Sequence, residues 1–146
     1  MAALSDYLEN KILDYVLRAQ AFSAPATTYV ALLTAAPSDT GGGTEVTGGS
    51  YARVAVTSSL ANWAGTQSTG STTASSGTGG QTSNNNTITF PAPTANWGVV
   101  THMGVYDAST SGNLLFYAAL TVSKTINNGD AAPSFAAAAL TLQIDN

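Results

Sequence analysis

The stretch TTYVALLTA (27–35) constrains the fold more than any other. It is rich in β-branched and aromatic residues, which suit a strand, and it places apolar side chains on both faces. A strand of that kind needs cover on both sides, so it belongs at the centre of a sheet. Pro25, just before it, ends any preceding helix. A glycine-rich connection follows within TAAPSDTGGGTEVTGGS (34–50). After it, YARVAVTSS (51–59) reads as a second strand, with Val54 and Val56 on one face and Arg53 on the other.

Further short strands follow the same punctuation. ITFPAP (88–93) is stopped by Pro91. VVTHMGVYD (99–107) and NLLFYAALTVS (113–123) flank ASTSG (108–112), which is turn chemistry, so the pair reads as a hairpin. INNGD (126–130) is another turn. LTLQID (140–145) alternates, with Leu140, Leu142 and Ile144 inward and Thr141, Gln143 and Asp145 outward.

The strong helix signal is SDYLENKILDYVLRAQ (5–20). Ser5 or Asp6 can cap its first turn, and Asp6 and Glu9 lie near the positive end of its dipole. Leu4, Leu8, Ile12, Tyr15 and Val16 share one face. Leu13 and Leu17 make a second apolar ridge. That ridge has two readings: the helix is wedged between a sheet and a loop, or the ridge meets another subunit. Together the segments specify one mainly β domain over 1–146. It is an antiparallel β-sandwich or barrel-like fold with an N-terminal helix at 5–20 and a β core from 27–59 and 87–146.

Residues 64–87 contain no charged or aromatic side chain. Such a polar stretch cannot offset its ordering entropy by burying apolar surface, so a flexible loop or an extended arm is expected. The same economy of charge marks the whole chain: 8% of residues are charged, against about 25% in a usual soluble domain. That surface suits a protein packed among neighbours. The basic residues Lys11, Arg18, Arg53 and Lys124 do not cluster in a chain of net charge −4, so nucleic acid is not an expected partner. Cysteine is absent, which removes disulfide and thiolate chemistry. No apolar run reaches the ~20 residues of a membrane span, so no membrane is expected. MAALSDYLEN lacks a basic segment followed by an apolar one, so synthesis in a cytoplasm without a secretory signal is expected.

The glycine loop raises the question of phosphate binding. Gly43 and Gly48 have the spacing of a P-loop, but Gly49 and Ser50 follow in place of lysine and hydroxyl residue, and a strand comes next. A surface connection is the reading that remains. Asp39 and Glu45 beside it lack the alternating acidic ligands of a calcium loop and read as solvating the loop. His102 is the sole histidine, and Asp107, an odd number of strand residues away, falls on the opposite face. No serine has a nucleophile-elbow context. Spacing alone leaves a pair of hydrolytic carboxylates open. No enzyme activity and no cofactor are expected. Asn85-Asn86-Thr87 matches a glycosylation sequon that has no meaning without a secretory route. Trp63, Trp97, Tyr106, Phe116 and Tyr117 are read as core, with a sugar-stacking platform as the alternative.

Three segments, SDYLENKILDYVL, then PATTYVALLTAAPSDTGGGTEVTGGSYARVAV, then ITFPAPTANWGVVTHMGVYDASTSGNLLFYAALTVSKTINNGD, resemble small virion structural proteins of tailed bacteriophages. Proteins of that kind are labelled tail-fibre-like, or serve as capsid decoration (cement) proteins. The most specific pieces are YVALLTAAP with the glycine loop and YAR, and NWGVVTHMGVYDA followed by GNLLFYAAL. The 64–87 run and the alanine-rich APSFAAAAL (132–140) fit the pattern less well. The resemblance implies a capsid decoration protein on the capsid exterior, made in the host cytoplasm. It would be a homotrimer bridging the phage major capsid protein. The alternative it implies is a tail or tail-fibre component contacting host glycans. A small hydrolase or lectin is the third reading. Leu13 and Leu17 on the helix, and Thr69, Ser76 and Asn85 on the polar run, are the expected contact residues.

Overall fold

The computed structural model describes residues 3–144. In chain order the elements are β1 (Ala3–Leu4), α1 (Asp6–Leu17), β2 (Thr27–Ala35), β3 (Thr44–Glu45), β4 (Val54–Thr57), β5 (Gln81–Ser83), β6 (Ile88–Thr89), β7 (Gly98–Tyr106), β8 (Leu114–Ile126), β9 (Ser134–Phe135) and β10 (Thr141–Gln143). The fold is mainly β and antiparallel, with one N-terminal helix, and the main sheet does not close into a barrel.

β2 takes the central position that its two apolar faces require. It pairs with β7 along one edge and with β3 and β4 along the other. β7 and β8 form the expected hairpin, and β1 extends the sheet by pairing with Phe116 and Tyr117 only. Two ribbons, β5 with β10 and β6 with β9, cover one face of this sheet. Between the layers lie Val30 and Leu32 from β2 and Val100, Met103 and Val105 from β7. Ile88, Phe90, Leu140 and Leu142 face them. Phe90, 2% exposed, packs on Tyr51 and Phe135, and burial of such a side chain stabilises by roughly 1.5–3 kcal/mol. The opposite face of the sheet carries a smaller cluster of Ala31, Tyr106 and Leu114, flanked by Tyr29 and Tyr117.

The structure alters several local expectations. α1 stops at Leu17, with Ser5 as its N-cap and Ala19 in the left-handed conformation just beyond. Of its expected inward face only Leu8 is buried, while Tyr15 and Val16 are exposed, because α1 rests on β8 near Leu8 and none of the described residues covers its last two turns. Ile144 is exposed where the alternation turns it inward, and Asp145 lies outside the described residues. β8 runs three residues further than the hairpin pattern indicates and bulges. Val100 faces Lys124 and His102 faces Ala119, so Leu120–Ser123 stand opposite Thr101 alone.

The polar run also divides. Residues 65–80 are a mostly exposed loop, buried at Gly65, whose hydrogen bonds are mostly its own. Gln67 Nε2 donates to Ser71 and Thr73, and its Oε1 accepts from the Ser76 N–H. Residues 81–86 are built into the body. Asn84 is buried, and its amide donates to the Asn86 and Ala136 carbonyls at 2.8 Å each and accepts from the Leu140 N–H at 2.9 Å. One fully bonded amide anchors a segment that has no apolar residue to bury.

Candidate functional site

The chain's charged groups first build structure. Glu45 and Arg53 are the only acid and arginine between Asp39 and Asp107, and they meet. Arg53 Nη2 donates to Glu45 Oε2 at 2.7 Å and Nε to Oε1 at 2.9 Å, a bidentate pair. Nη1 donates to the Ala108 and Ser111 carbonyls at 2.8 Å each, and the guanidinium lies 3.6 Å from the centre of the Tyr106 ring. The Tyr51 hydroxyl donates to Glu45 and accepts from the Leu32 N–H, both at 2.9 Å. This cluster ties β2, the glycine loop and the β7–β8 turn together. Burial opposes the charge of Arg53, but Glu45's hydrogen bonds and charge outweigh it and raise its pKa above the ordinary value. Burial pushes the Tyr51 and Tyr106 phenols up as well. Sequence reasoning leaves Glu45 as a solvating acid; the signal that finds the pair is two opposite charges isolated in an otherwise uncharged stretch.

The glycine loop is a fixed connection. A Cβ on Gly43 would stand 2.9 Å from the Ala35 carbonyl oxygen, and one on Gly49 would stand 2.9 Å from Ala95 Cβ. Both take positive φ. Trp97 Nε1 donates to the Gly49 carbonyl at 3.0 Å, which locks the loop onto the core. His102 Nδ1 bonds the Thr101 hydroxyl, and the Asp107 carboxylate accepts from Asn113 N–H and Nδ2 at 2.7 Å each. Among the described residues no three His, Asp or Glu side chains converge as metal ligands.

The aromatic residues do not form one platform. Trp97 lies in the large core, while Tyr106 and Tyr117 lie on the other face of the sheet. Trp63 and Phe116 are half-buried and share a cleft of about 540 Å³ with the exposed Leu60 and Ile144.

The unpartnered apolar surface lies elsewhere. On α1, Leu13 is 54% exposed, Val16 67% and Leu17 75%, with Tyr15 beside them. No helix of the described residues is long and apolar enough to cross a membrane. A second apolar feature is a cleft of about 420 Å³ beside the β8 bulge, where Leu120, Val122, Phe135 and Leu140 converge and Lys124 is the charged residue. The structure does not bring the five expected contact residues together. Leu13 and Leu17 lie on α1, Thr69 and Ser76 on the exposed loop, and Asn85 turns into the chain, its Nδ2 donating to the Leu60 and Ser71 carbonyls.

Residues 3–143 match a family model described as Podophage GP4 fiber I protein gp80. No curated protein matches the chain.

Proposed function

The chain belongs to the family described as Podophage GP4 fiber I protein gp80, a bacteriophage structural family, and from that premise we propose that it is a non-enzymatic virion subunit. In this reading it sits in a tail fibre and joins its neighbours through the outer end of α1. The observation that carries the reading is the helix itself. Four large apolar side chains in its last two turns are left exposed by the described residues, and exposed apolar surface of this kind marks contact sites. The printed family name supports the fibre placement.

The competing placement is the head, where a homotrimer would decorate the capsid exterior and bridge major capsid protein subunits. The sparsely charged surface favours it, because many crowded copies would repel one another little. Host glycan contact, under the fibre reading, would fall on the cleft that holds Trp63 and Phe116.

Copy number separates the two placements. Virions are purified, the chain is quantified against the major capsid protein by mass spectrometry, and its position is found by antibody labelling. A few copies on the tail support the fibre reading. Near-stoichiometric amounts over the head overturn it in favour of decoration.

A further inference from the structure

We propose that α1 of one copy docks into the cleft beside the β8 bulge of a second copy, so that copies join head to tail. The proposal rests on the reading of α1 as a subunit contact and names the surface that receives it. The donor is a ridge. Glu9, Leu13 and Leu17 are spaced four apart on α1 and lie along one side of it. Both leucines are exposed. The acceptor is the cleft of about 420 Å³, which opens where Leu120–Ser123 leave their pairing with β7. Its rim residue Val122 is 77% exposed, and its floor reaches the buried Met103 and Leu140.

Charge complementarity supports this occupant. Among the described residues the ion pairs are Arg18 with Asp14 and Arg53 with Glu45. Lys124 at the cleft is outside them, and so are Lys11 and the carboxylates of Asp6, Glu9, Asp39, Asp107 and Asp130; of these carboxylates Glu9 is the one that lies a single turn before Leu13 on the exposed ridge. With Leu13 and Leu17 seated in the cleft, Glu9 is the carboxylate one turn away that can meet Lys124. Packing α1 against a second α1 leaves the cleft unfilled. A parallel pair would also set Glu9 against Glu9. Ridge and cleft are different surfaces of one chain, so the contact is heterologous. It makes a closed ring if the rotation per copy closes, and a filament if it does not.

The test uses the full chain in analytical ultracentrifugation over a range of concentrations. The helix variant Leu13→Asp/Leu17→Asp and the cleft variant Val122→Asp change only exposed side chains, and thermal melts check that both stay folded. Wild type is expected to sediment above the monomer mass, and each variant alone as a monomer. An equal mixture of the two is expected to form a one-to-one complex, because one intact cleft then meets one intact helix. Glu9→Lys is expected to weaken association about tenfold, and Lys124→Glu in the same chain to restore it. Assembly of Val122→Asp at wild-type strength means that helix meets helix and overturns the proposal. A wild type that remains monomeric throughout also overturns it, whereas the virion reading itself stands or falls on the copy count.

Discussion

Arg53 and Arg18 carry the same group and hold their carboxylates at nearly the same distance, 2.7 Å to Glu45 and 2.8 Å to Asp14. The Arg53 side chain is 7% exposed and that of Arg18 73%. Around Arg53 every arm of the guanidinium has a partner from the same chain, and the ring of Tyr106 lies against it. Around Arg18 there is a short helix whose apolar neighbours face outward. The first region is complete within one copy. The second is finished at its N-terminal end, where Ser5 caps and Leu8 is buried, and unfinished at the other. Proximity of charges is therefore a poor guide to what holds this chain together; what surrounds the pair decides.

The largest test of that contrast is Arg53→Ala. It leaves Glu45 without its partner and is expected to cost about 3 kcal/mol, as for a buried pair broken on one side. That lowers the melting temperature on the order of 10 °C in calorimetry. Arg18→Ala should cost no more than ~0.5 kcal/mol, as an exposed helical pair does. Equal losses from the two variants would break the comparison.

Next comes the helix at its two ends. Leu8→Ala removes a buried side chain and is expected to cost about 2–3 kcal/mol in denaturant unfolding. Leu17→Ala should change stability by about 0.5 kcal/mol or less while it alters self-association. Ala19 sits just past the helix with a φ of 53°, a conformation that suits glycine. Ala19→Gly is expected to raise stability by about 1 kcal/mol, read from the same unfolding curves.

The smallest effect concerns Tyr117. Its hydroxyl donates to Asp39, and that hydrogen bond, helped by burial and nearby carboxylates, pushes its pKa up to about 12. The folded chain then keeps a proton that the unfolded chain releases near 10. The stabilisation is whole below pH ~10 and is lost as pH rises toward 12. Tyr117→Phe should flatten that part of the stability profile.

Much of the sheet was legible because its signals are local. TTYVALLTA gives β2 to the residue, and ASTSG gives the hairpin of β7 and β8. The bulge was not legible, since Leu120 and Val122 continue the alternation and nothing in Leu120–Ser123 announces a break. The exposed end of α1 misled for a different reason. Periodicity names an apolar face but not whether the same chain covers it. Asn84 carries no local signal because it is one polar residue in a polar run, and its burial depends on the Ala136 carbonyl and the Leu140 N–H, both more than fifty residues later. For the proposed contact surface, spacing alone places Leu13 and Leu17 on one apolar ridge. The cleft has no such signal, because β8 and the segment around Phe135 and Leu140 meet only on folding.

The exposed loop 65–80 has a practical consequence for digestion. It is the kind of surface segment that a protease reaches first. Yet no lysine or arginine occurs between Arg53 and Lys124, so trypsin finds no bond to cut there. Enzymes that accept alanine, serine or threonine at the scissile bond have several. Nicking by elastase at this loop, with Asn84 still holding the next segment in place, would leave two fragments that stay associated under native conditions and separate only on denaturation.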